Sequence, residues 1–122
     1  MGYKVLIVED SPTIRALIIS SLEAAGDFNF VETGGGFEAL KILPREKFDI
    51  IITDINMPDI NGLELVNFVK KNDLYKNIPL LIISTERSKN DIDKGLALGA
   101  DEYIVKPFRP EELQKTVLKY LR

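Results

Sequence analysis

Three short apolar runs constrain this chain more than any other feature. They are Val5-Leu6-Ile7-Val8, Phe48-Asp49-Ile50-Ile51-Ile52-Thr53 and Pro79-Leu80-Leu81-Ile82-Ile83, all rich in β-favouring residues. A strand with one wet face alternates apolar and polar residues, whereas a strand covered on both faces reads as a continuous apolar run. The runs therefore predict strands sandwiched between layers of helices. Phe30-Val31 and Tyr103-Ile104-Val105 are weaker runs of the same kind, which brings the predicted strands to five.

The intervening segments read as helices. Ile14, Leu17, Ile18, Leu22 and Ala25 recur at helical spacing behind Ser11 as N-cap and Pro12 at the first helical position, and Gly26 closes the segment. Ile14, Leu17 and Ile18 form the predicted core face of this helix, as Leu113, Val117 and Leu121 do for the last one. The others run from Phe37 to Leu43, Gly62 to Lys71, Ser88 to Leu98 and Pro110 to Leu121. The fourth has the weakest amphipathic pattern, with Gly95 inside it, and is expected to be the most mobile. Strand and helix alternate five times with no long linker or repeat, so the expected fold is α/β: a doubly wound five-stranded parallel sheet, (βα)5. At 122 residues there is room for one core, and the expectation is one domain over 1–122 with no effector domain.

Composition narrows the chemistry. The chain has no cysteine and no histidine, which excludes disulfides, thiolate metal sites, imidazole bases and any phosphohistidine of its own. Nineteen acidic against 16 basic side chains leave a net charge of −3, with no electrostatic reason to expect direct DNA binding or an anionic membrane as the main partner. The apolar runs are far shorter than a membrane span, and the N-terminus lacks the long apolar segment of a signal peptide. A cytoplasmic location is expected.

In doubly wound folds ligands bind beyond the carboxyl ends of the strands, where the strand order reverses. Glu9 and Asp10 follow the first predicted strand, Asp54 the third, Ser84 the fourth and Lys106 the fifth, so all five fall on one edge. Singly, Asp10 could cap a helix, Asp54 could open a turn before Pro58, Ser84 could end a strand and Lys106 could be solvated. Gathered together they mean more, because two carboxylates about 4 Å apart repel by roughly 4 kcal/mol at an effective dielectric of about 20. Such a cluster wants a cation, and an all-oxygen set with few protein ligands suits Mg²⁺. A carboxylate nucleophile, a divalent ion, a hydroxyl and an ammonium together suggest phosphoryl transfer.

On Glu9-Asp10, Asp54-Ile55-Asn56-Met57-Pro58 followed by Gly62, Ser84-Thr85-Glu86 and Tyr103-Ile104-Val105-Lys106-Pro107-Phe108, the chain resembles the receiver domains of two-component response regulators, CheY-like single-domain receivers in particular. The resemblance spans essentially the whole chain and implies the flavodoxin-like strand order 2-1-3-4-5, which is the order known for CheY itself. It implies Asp54 as phosphoacceptor, with Asp10, Asp54 and the backbone carbonyl of Asn56 as Mg²⁺ ligands and Glu9 reaching the ion through water. Ser84 and Lys106 would contact the phosphoryl group, Tyr103 would be an aromatic switch, Asn56 and Glu86 would tune phosphoryl lifetime, and the Lys106-Pro107 bond would be cis.

The implied phosphodonor is a sensor histidine kinase or a histidine phosphotransfer protein. The implied output partner, unidentified, binds the face of the fourth helix, fifth strand and fifth helix, with Ile92, Lys94 and Lys119 as candidate contacts. The expected role is a phosphoacceptor switch, not an enzyme in the usual sense, that catalyses its own phosphorylation and dephosphorylation in chemotaxis or motility signalling. A phosphorelay intermediate is the alternative. Two departures from the family pattern stand out: Ser84 replaces the more frequent threonine, and Gly34-Gly35-Gly36 gives the loop before the second helix unusual freedom.

Other readings fare worse. A phospho-aspartate hydrolase needs a second aspartate two residues beyond the nucleophile as general acid, and Asn56 cannot donate a proton in that way. A calcium loop at Asp54-x-Asn56 fails because Pro58 takes the next ligand position and Gly62 is out of register. A flavin carrier would set its phosphate against the carboxylates.

Overall fold

The structure, a computed structural model, describes residues 2–121. Strands β1 (Tyr3–Val8), β2 (Phe28–Thr33), β3 (Ile50–Thr53), β4 (Leu80–Ser84) and β5 (Glu102–Val105) alternate with helices α1 (Pro12–Glu23), α2 (Gly36–Ile42), α3 (Gly62–Lys71), α4 (Lys89–Ala97) and α5 (Pro110–Leu121). All strand pairs are parallel, in the order β2-β1-β3-β4-β5.

The continuous apolar runs now have their physical reason. Val5, Ile7, Ile50, Ile52, Leu81 and Ile83 point to one face of the sheet, where they meet Ile18 and Leu22 of α1 and Leu113 and Val117 of α5. Leu6, Val8, Ile51, Leu80 and Ile82 point to the other, where Ala39 of α2 and Leu65, Val66 and Val69 of α3 cover them. Successive strand residues thus enter two separate cores, and each fully buried aliphatic side chain contributes roughly 1.5–3 kcal/mol. Ser11, Asn61 and Ser88 cap α1, α3 and α4 by accepting from Ile14, Leu63 and Asp91 N–H groups.

The structure departs from the sequence expectations in three places. β2 extends from Phe28 to Thr33 because it is an edge strand, and its exposed Asn29 and Glu32 interrupt the apolar run that would have advertised it. β3 begins at Ile50, with Phe48 buried in the second core ahead of the strand. Leu17, expected in the core, is 36% exposed: the inner face of α1 is Ile18, Ser21 and Leu22, and Leu17 looks instead toward Pro107 and Phe108 across a shallow cavity of about 370 Å³. In α4 only Gly95 is buried, so this helix is held by few side chains. Among the described residues no helix is long and apolar enough to cross a membrane.

Candidate functional site

The site is built by the register of the two central strands. Val8 pairs with Thr53, so the residues that follow, Glu9 and Asp54, leave the sheet side by side. Their backbones are fixed by N–H donation, from Asp54 to the Val8 carbonyl and from Glu9 to the Thr33 carbonyl, each at 3.0 Å. β1 has β2 on one side and β3 on the other, so the chain crosses away in opposite directions here and leaves a crevice.

Carboxylate oxygens of Glu9, Asp10 and Asp54 all lie within 4.8 Å of one another. Glu9 and Asp54 are buried at 2% and 7% exposure, while Asp10 stands at the surface. Lys106, at the end of β5, enters from the far side: its Nζ is 2.7 Å from Glu9 Oε1 and 3.2 Å from Asp54 Oδ2. The Lys106-Pro107 bond is cis. Three carboxylates face one ammonium, so the pocket is net negative. Burial pushes the Glu9 carboxyl up, against the pull of hydrogen bonds from Lys106 and the Ser11 N–H. Burial alone would depress Lys106, but the Glu9 hydrogen bond and the charges of Asp54 and Glu9 outweigh it and hold the ammonium above its ordinary value.

Asp54 Oδ1 accepts from the Ile55 N–H at 2.7 Å, which orients the carboxylate with Oδ2 toward Lys106. The loop beyond is closed by Gly62, whose N–H donates to the Ile55 carbonyl at 2.7 Å. A Cβ at Gly62 would lie 1.9 Å from the Asp54 carbonyl oxygen, so glycine is required by close approach. Asn56, which precedes this closure, is exposed at the mouth and donates from Nδ2 to Glu86 Oε1 at 3.1 Å.

A second line of contacts runs along the segment between β4 and α4. Ser84 is fully buried, and its Oγ accepts from the Glu86 N–H at 3.1 Å. The half-buried Tyr103 donates its hydroxyl to the Glu86 carbonyl at 2.7 Å, and burial pushes its phenol up. Glu9, Asp10, Asp54 and Lys106 thus converge directly, while Ser84, Asn56 and Tyr103 are joined to one another through Glu86. Ile92 and Lys94 stand on α4, and Lys119 of α5 is paired with Glu102 at 2.9 Å.

Sequence reasoning passed over two arginines. Arg87 donates to the Lys106 carbonyl at 3.0 Å, tying the β4–α4 segment to the end of β5. Arg15 donates to the Glu9 carbonyl at 2.6 Å and to Glu32 at 3.2 Å, bracing the acidic strand end from α1. Neither shows any signal in sequence, since a cation that bonds to a backbone carbonyl resembles any surface arginine.

These features define a doubly wound α/β protein with an acidic pocket and an adjacent lysine at the switch point of its sheet. The chain belongs to the response regulator receiver domain family, whose model matches residues 5–118. A chemotaxis protein CheY homolog of Campylobacter jejuni is 39% identical over 113 residues, covering 92% of this chain and 87% of that protein. Chemotaxis protein CheY of Pseudomonas aeruginosa is 34% identical over 116 residues, covering 95% and 94%. The solved structure of Vibrio cholerae chemotaxis protein CheY4 superposes with a TM-score of 0.89 at 40% identity, covering 99% of this chain and 100% of that one.

Proposed function

We propose that this receiver accepts a phosphoryl group on Asp54 from a phosphohistidine of a partner kinase or phosphotransfer protein, in a Mg²⁺-dependent reaction, and signals by changing its α4, β5 and α5 face for an output protein in cytoplasmic chemotaxis signalling. The observation that carries the reading is the convergence of Glu9, Asp10 and Asp54 within 4.8 Å beside the Lys106 ammonium. The 122 residues hold no histidine, so the donor phosphohistidine lies outside them. The chemotaxis assignment rests on the relatives named above.

The residues fit the metal. An all-oxygen, net-negative pocket with Asp10 open to solvent offers the hard donors that Mg²⁺ takes. Asp10, Asp54 and the Asn56 carbonyl would hold it, with Glu9 behind them, and its charge would offset that of the phosphoryl oxygens. In the transfer an Asp54 carboxylate oxygen attacks phosphorus, the phosphorus–nitrogen bond of the donor breaks, and its electron pair returns to the imidazole. Ser84 and Lys106 hold the transferred oxygens afterwards. Asn56 and Glu86, joined across the mouth, control how water reaches the acyl phosphate.

Incubation with a small phosphodonor and Mg²⁺ is expected to add one phosphoryl mass, and Asp54→Asn to abolish it. Labelling that persists in that variant would overturn the assignment.

A further inference from the structure

Asp59 makes a set of contacts that the acceptor chemistry does not use. It lies in the segment between β3 and α3, beyond Asn56, yet it bonds to the start of α2. Its Oδ1 accepts from the Gly36 N–H at 3.0 Å and from its own neighbour Ile60 N–H at 2.7 Å, while its Oδ2 accepts from the Phe37 N–H at 2.9 Å. These N–H bonds, with the one from Phe37 foremost, hold the carboxyl below its ordinary value.

The triple glycine is shaped around this carboxylate. A Cβ at Gly35 would lie 2.7 to 2.9 Å from the three atoms of the Asp59 carboxylate, and one at Gly36 would lie 2.2 Å from Ile60 Cγ1 and 3.5 Å from Met57 Cε. Among the described residues only Gly99 has positive φ, so Gly34-Gly35-Gly36 is not there for left-handed backbone. Its expected freedom gives way to a different use: absent side chains let the loop after β3 lie against the loop after β2.

We propose that Asp59 is a positioning residue of the acceptor site, a clamp that ties the Asn56–Ile60 loop to α2 and so fixes the Asn56 carbonyl for the cation. The inference rests on the receiver chemistry given above. The loop is anchored at one end by Asp54 in the sheet and at the other by Gly62 against the Asp54 carbonyl. Asp59 supplies a tie between those anchors, with Met57 and Ile60 packed over Gly36 beside it. A ligand carbonyl on a loop free to move binds its ion more weakly, because the loop must be ordered when the ion arrives.

The test is a MgCl₂ titration of the full chain, followed by amide NMR at Asp10 and Asn56. Asp59→Ala is expected to weaken Mg²⁺ binding by about three- to tenfold, below the roughly 10- to 100-fold typical of a group bonded directly to a metal ligand. Asp59→Asn keeps the oxygen that serves Gly36 and Ile60 and is expected to fall between native and Asp59→Ala. It also serves if Asp59→Ala fails to fold. Gly35→Ala pushes the carboxylate aside and is expected to match Asp59→Ala, and the double variant to be no weaker than either, a non-additivity that a general loss of stability does not produce. Native-like Mg²⁺ affinity in Asp59→Ala, or fully additive losses in the double variant, would overturn the clamp. A native chain that binds no Mg²⁺ would overturn the receiver chemistry itself, and the clamp's role with it.

Discussion

The ammonium of Lys106 lies 2.7 Å from a carboxylate oxygen of Glu9, a residue 97 positions away in the chain. The pair is buried, with side chains 10% and 3% exposed, and Asp54 shares the same ammonium. Lys106 therefore stands where a metal ion's charge would also be felt, and a cation held there would compete with it for one set of carboxylates.

Removing Lys106 makes that competition measurable. Lys106→Ala leaves three carboxylates with no protein cation between them and is expected to cost about 3 kcal/mol in chelator, the lower end for stripping one partner from a buried pair. Added Mg²⁺ is then expected to raise its stability more than it raises that of the native chain, since the stabilisation by a ligand grows with the logarithm of its affinity for the fold. Thermal melts in EDTA and in saturating Mg²⁺ check this. Equal Mg²⁺ increments in the two proteins would count against the competition.

Gly62 opens α3, where alanine would ordinarily gain about 0.5–1 kcal/mol over glycine. Here the sign reverses. The added Cβ would lie 1.9 Å from the Asp54 carbonyl oxygen and 2.7 Å from Ile55 Cα, both backbone atoms that cannot swing aside. Gly62→Ala is expected to destabilise by about 3 kcal/mol or more, as overpacking against rigid backbone does, and to slow labelling of Asp54. Urea denaturation reads the first and phosphodonor labelling the second.

The acidic site was legible in sequence because it follows from strand ends. Once the three strong apolar runs mark buried parallel strands, Glu9, Asp10, Asp54 and Ser84 must share an edge, and the weaker run Tyr103-Ile104-Val105 brings Lys106 to it. The edge strand β2 was only partly legible, since one wet side breaks its apolar run at Asn29 and Glu32. Leu17 was misread because α1 covers the sheet with a narrow stripe and turns one leucine toward Phe108. Asp59, Arg15 and Arg87 were not legible as contacts at all. They bond to backbone groups of other elements, and such bonds depend on tertiary approach and leave no periodicity behind.

A second charge-linked pair lies at the opposite end of β5. The Tyr120 hydroxyl is 2.7 Å from Glu102 Oε2 and 3.0 Å from the Asp101 carbonyl. Burial and then the Glu102 carboxylate push the phenol up to about 12. Hydrogen bonds from Tyr120 and then Lys119 lower Glu102. The raised phenol contributes stability that is full below its unfolded value near about 10 and is lost as pH climbs through the folded value. The lowered carboxyl contributes stability that is full above its unfolded value and is lost as pH falls through the folded one. Tyr120→Phe is therefore expected to cost about 1 kcal/mol at neutral pH, with the gap to the native chain narrowing at both acid and alkaline extremes. Urea midpoints across pH test the shape, and a gap that widened above pH about 10 would contradict it.

Two side chains hold the β4–α4 segment against β5, Tyr103 at the Glu86 carbonyl and Arg87 at the Lys106 carbonyl. Ser84 and Lys106, the groups proposed to grip the phosphoryl oxygens, bracket the same segment, so their movement toward Asp54 must carry the loop and the opening of α4 with it. One charge-assisted hydrogen bond supplies about 1.5–3 kcal/mol, whereas moving a two-state equilibrium from 1:99 to 99:1 takes about 5.5 kcal/mol. No single contact can therefore complete the switch. Lys106→Ala is expected to accept phosphoryl yet lose most of the partner response, while Arg87→Ala is expected to keep its labelling rate and to speed amide exchange in residues 85–88. The full response is expected to lie within about 1–3 kcal/mol, or roughly 5- to 150-fold in partner affinity. Amide NMR with a phosphoryl mimic reads the path: shifts are expected at Tyr103 and along α4, and shifts confined to the Asp54 pocket would break the link between acceptor and output face. Strong shifts on α1 alone would favour a phosphorelay contact there.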